Sequence, residues 1–165
     1  MEIVTFLDHN TFKTEADHLF MEQKSIIKAV LPNADVQHVG STAIPNSLTK
    51  GDLDIQVRIE PAEFENAVEA LSKLYAPNEG SIQTESFRAF KDDTTIPPLG
   101  IQLTVVHSEF DFFWKFRDVL LSHDRYRQKY DELKKKYEGK DMELYRQAKN
   151  DFFEWLMETP EFTML

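Results

Sequence analysis

Two short stretches hold residues whose types and spacing suit chemistry on phosphates: the small-residue turn Gly40-Ser41-Thr42 and, with ten residues between Ser41 and the first acid, Asp52 and Asp54 around Leu53. A glycine lets a ligand approach the backbone closely. A neighbouring hydroxyl with adjacent amides can cradle the terminal phosphates of a nucleotide. Acids two apart on a strand point to one face, roughly 6.5 Å apart at the backbone, so their carboxylates can converge on a shared divalent ion such as Mg²⁺ or Mn²⁺. Such an ion clamps phosphate oxygens and polarises the phosphorus under attack. Together the two stretches read as a metal-assisted phosphoryl- or nucleotidyl-transfer site. Asp52 and Asp54 are its catalytic and metal-binding pair, and Gly40, Ser41 and Thr42 bind the nucleotide.

Each part also has a plainer reading. A half-exposed strand turns its polar side to water without any active site, and Gly-Ser is an everyday turn dipeptide. Only the combination points to phosphate chemistry. Lys50, Arg58, Arg88 and Lys91 are cations that could neutralise phosphate charge, with Lys50 and Arg88 assigned to the nucleotide site; isolated cations are more often solvated. His18, His38, His107 and His123 lack a paired spacing such as H-E-x-x-H, which argues against zinc. Ser41 has no G-x-S-x-G elbow around it.

Composition narrows the partners. Lys and Arg total 19 against 29 Asp and Glu, for a formal net charge of −10, and such a surface repels a long nucleic-acid backbone. With no cysteine, disulfides, thiolate zinc sites, iron–sulfur clusters and cysteine nucleophiles are excluded. The first ten residues carry neither a basic region nor an apolar run, and no apolar stretch approaches 18 residues, so a cytoplasmic protein without membrane contact is expected. A chain of 165 residues suits one domain, 1–165, with a core over about 10–107 and C-terminal helices over about 109–158.

The elements that must position the candidate residues follow from hydrophobic period. Phe12, Ala16, Leu19, Phe20, Ile27, Val30 and Leu31 recur at helical spacing and predict a helix over 10–31 that Pro32 stops. A short strand over 36–39 leads into a turn-rich segment from Gly40 to Gly51. Residues 52–59 alternate strictly, with Leu53, Ile55, Val57 and Ile59 on one side and Asp52, Asp54, Gln56 and Arg58 on the other. A helix after Pro61, a turn at 77–80 and strands over 82–90 and 101–106, joined by a loop at 91–100, come next. Three helices over 109–122, 124–138 and 141–158 close the chain, the second with a Tyr126, Tyr130, Leu133, Tyr137 stripe that reads as packing. The pattern predicts an α+β fold with a mixed sheet and a C-terminal helical layer.

The run His38-Val39-Gly40-Ser41-Thr42-Ala43-Ile44-Pro45, followed by Lys50 and the acidic strand, resembles the signature of the GrpB family, also known as UPF0157. Phe116-Arg117-Asp118, Tyr130 with Leu133-Lys134, and Tyr145 with Lys149 and Phe152 resemble that family's C-terminal helical motifs, so the resemblance spans roughly residues 10–157. It implies a nucleotidyltransferase-like mixed β-sheet flanked by helices, a nucleoside triphosphate as ligand, and transfer to a small-molecule or protein acceptor. The alternative is a binding module of the same fold with little or no turnover. Lys50-Gly51-Asp52-Leu53-Asp54 carries the paired acids typical of active nucleotidyltransferases. The third carboxylate such enzymes take from a later strand has no counterpart in Gln102-Leu103-Thr104-Val105-Val106, where Gln102 and Thr104 are neutral; a third acid from elsewhere would be Glu85.

Overall fold

The computed structural model describes residues 1–165. In chain order the elements are β1 (Leu7–Asp8), α1 (Lys13–Val30), β2 (Asp35–Val39), β3 (Leu48–Thr49), β4 (Leu53–Ile59), α2 (Phe64–Leu74), β5 (Ala76–Pro77), β6 (Phe87–Asp92), β7 (Leu99–Val105), α3 (Phe113–Ser122), α4 (Asp124–Tyr137), α5 (Met142–Met157) and α6 (Pro160–Thr163). Five strands form one sheet in the order β2-β4-β7-β6-β5. Only the central pair, β4 and β7, runs parallel, and the other neighbours are antiparallel, so the sheet is mixed as expected.

Why the alternation in β4 and β7 yields this arrangement is clear from burial. Ile55, Val57, Ile101 and Leu103 are fully buried on one face, where they pack with Leu19 and Ile27 of α1 and with Phe64, Ala67 and Leu71 of α2. Those residues recur at the three-and-four spacing that gives each helix one apolar stripe. The opposite face carries Asp54, Gln56, Arg58, Gln102 and Thr104, and only part of it meets water. The C-terminal helices cover it, so Gln56 and Thr104 have no exposure at all. A strand with one apolar and one polar side is here covered on both.

Burying polar groups is tolerable only where they find partners. Gln56 Nε2 donates to Thr104 Oγ1 at 2.9 Å and Asp111 Oδ1 at 3.0 Å, while its Oε1 accepts the Trp114 backbone N–H at 3.0 Å. Arg58 grips Asp111 with Nε and Nη2, both at 2.7 Å, and the His107 N–H caps the same carboxylate at 2.8 Å. This network docks the start of α3 onto the sheet. A second tie joins α4 to the turn-rich segment: the Ser47 hydroxyl donates to Asp131 at 2.7 Å, and Lys134 Nζ donates to Ser47 Oγ and to the Leu48 carbonyl. Aromatic packing completes the layer, with Tyr130 stacked on Phe152 at 5.1 Å and Phe116 against Phe153 at 4.5 Å.

Several boundaries differ from the sequence-based expectation. The strand expected over 82–90 begins only at Phe87; residues 82–86 carry Thr84 and Ser86, whose backbone and hydroxyl bonds close a turn. Pro77, expected in a turn, pairs instead with Phe90 at the sheet edge, where its missing N–H costs nothing. The two-residue ribbon of β1 with β3 had no signal in so short a run. No helix is long and apolar enough to cross a membrane.

Candidate functional site

A cavity of about 590 Å³ opens between the sheet's polar face, at the end where β4 and β7 begin, and the helices above it. Gly40, Ser41, Lys50, Asp52 and Asp54 line one side, Gln102 sits beside them, and Tyr130, Lys134, Tyr145 and Lys149 descend from α4 and α5. Phe112, Phe116 and Phe153 form an aromatic wall. Both size and composition fall in the range of small-ligand sites, with a few polar groups placed among apolar ones.

Asp54 lies on β4 opposite Val39 in the antiparallel ladder and opposite Gly100 in the parallel one. A β-carbon at Gly40 would fall 2.4 Å from Asp54 Oδ2, and one at Gly100 would fall 3.0 Å from Oδ1. Two glycines therefore make the slot that admits the carboxylate. Gly40 also has φ +76°, a conformation that favours glycine. The reason for glycine here is the close approach of Asp54 itself, a requirement invisible in the turn's own sequence.

Burial and the neighbouring Asp52 push the Asp54 carboxyl up to about 6, against the pull of Lys149, Lys50 and a hydrogen bond from Gln102. Asp52 precedes β4, is half-exposed, and lies 3.9 Å from Lys50 Nζ. No third carboxylate or imidazole joins the pair: the chain holds no group of three such side chains placed to share a metal. Glu85 is exposed on the loop before β6 and does not line the cavity. Two like charges crowded at the mouth of a low-dielectric cavity are nonetheless what a divalent ion relieves. A second observation agrees: Gln102 Oε1 beside them is buried with no hydrogen-bond partner. The residues present fit Mg²⁺ or Mn²⁺.

The remaining expected residues divide. Ser41 lines the cavity, and its hydroxyl shares a 2.8 Å hydrogen bond with Thr49 Oγ1. Thr42 does not line it. The short helical turn Ser41–Ala43 directs its hydroxyl backward to the Asp52 carbonyl at 3.2 Å and to His38 Nε2 at 2.9 Å, so Thr42 braces the acids from behind rather than touching a ligand. Burial pushes His38 down to about 4, which keeps that imidazole neutral. Arg88 is a clear correction. It stands on β6 with its guanidinium over the Phe64 ring at 5.5 Å, on the α2 side of the sheet and away from the cavity. Arg58 and Lys91 are committed to Asp111 and Asp93.

Lys149 is a cation of the site that was not among those expected there. It lines the cavity yet forms no ion pair and no hydrogen bond, its only aromatic neighbour being the Tyr145 ring at 5.8 Å. Burial, followed by the Lys50 charge, holds its ammonium below the usual lysine range. Lys134, by contrast, is satisfied: besides its two hydrogen bonds it lies 3.6 Å from Asp131 and 3.8 Å from the Tyr130 ring centre, and burial lowers it to about 8. Tyr130 and Tyr145 meet through their hydroxyls at 3.4 Å, and burial raises both phenols, Tyr145 to about 12, so they remain protonated. A signal was present: Tyr130-x-x-x-Lys134 on α4 and Tyr145-x-x-x-Lys149 on α5 repeat one spacing, which stacks phenol and ammonium on one face of each helix.

Comparison with known proteins gives the fold a context. Residues 10–159 match the GrpB protein family. A UPF0157 protein of Vibrio cholerae is 33% identical over 150 residues, covering 90% of this chain and 79% of that protein. The crystal structure of the conserved protein GrpB from Enterococcus faecalis is similar with a TM-score of 0.62 at 19% identity, over 79% of this chain and 81% of that one. A mutant of the poly(U) polymerase Cid1 bound to MgATP is similar with a TM-score of 0.50 at 13% identity, over 71% of this chain and 39% of the polymerase. At such identities the likeness shows the fold, which is nucleotidyltransferase-like. This chain spans about two fifths of the polymerase's length.

Proposed function

The chain belongs to the GrpB family, and we propose that it binds a nucleoside triphosphate with one divalent ion in the cavity between sheet and helices. Asp52 and Asp54 would hold the ion, which when bound neutralises phosphate charge and makes the phosphorus more electrophilic. Gly40 and Ser41 offer the bare backbone of the turn, Lys50 and Lys149 the cations, and Phe112, Phe116 and Phe153 an apolar wall for the base. The observation that carries this reading is Lys149, a half-buried ammonium in no ion pair, facing two crowded carboxylates across one cavity. Opposite unmet demands on facing walls are what a metal–polyphosphate satisfies: the ion answers the acids, and the phosphate oxygens answer the lysine.

Transfer of the nucleotidyl group to a small-molecule or protein acceptor would proceed slowly. No imidazole lines the cavity, and its third carboxylate, Glu154, is exposed on α5 and does not cluster with Asp52 and Asp54, so no base stands beside the pair to take the acceptor's proton. Binding therefore outlives catalysis. Calorimetry with ATP, GTP, UTP and CTP in Mn²⁺ tests this. The expected result is binding in Mn²⁺ that disappears with chelator and in Asp52→Asn, Asp54→Asn and Lys149→Met proteins that keep their fold. Nucleotide binding indifferent to chelator and to all three substitutions would overturn it.

A further inference from the structure

We propose that Gln102 is the third ligand of this ion, giving its amide oxygen where a carboxylate is absent. The inference rests on the metal–nucleotide reading and adds to it a residue that sequence alone counted as a vacancy. β4 and β7 are parallel neighbours, with Asp54 opposite Gly100, so Gln102 is the next residue along β7 on Asp54's own face. Gly100 leaves the gap between them open: the point its β-carbon would take lies 3.0 Å from Asp54 Oδ1 and 3.5 Å from Gln102 Nε2. Across that gap the amide nitrogen faces the carboxylate and, as a donor, lowers the acid's proton affinity. The oxygen of the same amide is buried with no partner. An orphaned buried acceptor is costly, and its presence beside two crowded acids asks for a positive partner.

An amide can supply either end. Its nitrogen and oxygen are nearly isosteric and the terminal torsion of glutamine is soft, so half a turn exchanges a donor for an acceptor without changing the packing. Facing a bare carboxylate, the donor end is preferred, and the nitrogen is the end that lies toward Gly100. Facing an ion held by Asp54, the oxygen is preferred, and glutamine carbonyls are ordinary ligands of hard divalent cations. Thr104, the other neutral residue on that side, cannot take the role: it has no exposure, and its hydroxyl accepts from Gln56 Nε2 at 2.9 Å. Two carboxylates and one neutral oxygen balance a single dication, so the site holds one ion.

Titrating Mn²⁺ without nucleotide, followed by the electron-paramagnetic signal of the free ion, tests the assignment. Asp54→Asn is expected to abolish binding, Gln102→Leu to weaken it about tenfold, and Gln102→Glu to tighten it about tenfold, the scale on which ligand-sphere changes act. Side-chain amide resonances of the wild-type chain give a readout independent of folding in the variants: the Gln102 ¹⁵N signal, identified by its absence from the Gln102→Glu spectrum, should shift on saturation with Mg²⁺. Mn²⁺ affinity lost in Asp54→Asn but unchanged in Gln102→Leu, or a Gln102 amide signal that ignores Mg²⁺, would overturn this inference and leave the metal–nucleotide reading intact. A wild-type chain with no Mn²⁺ affinity even alongside nucleotide would overturn both.

Discussion

Gly40→Ala separates the two demands that the structure places on one position. The new β-carbon would lie 2.4 Å from Asp54 Oδ2, a distance at which something must move, and the backbone at φ +76° and ψ −175° is almost confined to glycine. Such backbone strain costs about 1–3 kcal/mol, and forcing a packed group aside adds about 1–3 kcal/mol. The single substitution should therefore lower stability by about 3–5 kcal/mol, and at roughly 2–4 °C per kcal/mol for a chain of this size the melting temperature should fall by about 10 °C or more. Only the second cost depends on Asp54. In an Asp54→Ala background the carboxylate is gone, and Gly40→Ala should then cost only the strain, leaving a coupling of about 1–3 kcal/mol in a double-mutant cycle read by urea unfolding. Mn²⁺ binding should be lost in the Gly40→Ala single mutant although both acids remain. Additive stabilities, or Mn²⁺ affinity untouched in Gly40→Ala, would refute the view that this glycine exists to seat Asp54.

Lys149→Met should weaken Mn²⁺-nucleotide binding tenfold or more while raising the melting temperature by a few degrees, because it removes a desolvated ammonium with no partner; a fall in stability in calorimetric scans would show that the lysine is paired after all. Asp54→Asn should flatten a pH dependence. Its folded carboxyl sits near 6 against 3.8 for the ordinary group, so between those values the folded chain binds more protons and stability falls as pH rises, by roughly 1–3 kcal/mol. His38, pushed down to about 4, acts with the opposite sign over the same window, so it is the difference between wild type and Asp54→Asn in urea at pH 4.5 and 7 that isolates the acid, and identical profiles would contradict the assignment. Gln56→Leu should cost about 2–4 kcal/mol in urea unfolding, since Asp111, Thr104 and the Trp114 N–H lose a partner inside the protein; a loss under 1 kcal/mol would mean water reaches that layer.

Strand β4 shows both the reach of sequence reasoning and where it stopped. Strict alternation from Leu53 to Ile59 fixed its residues, its apolar side and the common face of its acids, because period two is a local property of the chain. What lies over the polar side is not local. Gln56 and Arg58 look solvated in sequence, and only the docking of Asp111 and Trp114 from more than fifty residues away turns them into a buried network. The same distinction separates Arg88 from Lys149. Arg88 lies nearer in sequence to the acids, yet β6 holds it on the α2 side of the sheet over Phe64. Lys149 lies 95 residues beyond Asp54 and reaches the cavity because α5 folds back over the sheet. Proximity along the chain is a poor guide when half the site comes from the layer that closes it. The repeated phenol-to-lysine spacing on α4 and α5 was the legible trace of that layer. One copy of it ties the helices to the turn through Lys134, Ser47 and Asp131, and the structural role of that copy is what leaves the other ammonium free to meet a ligand.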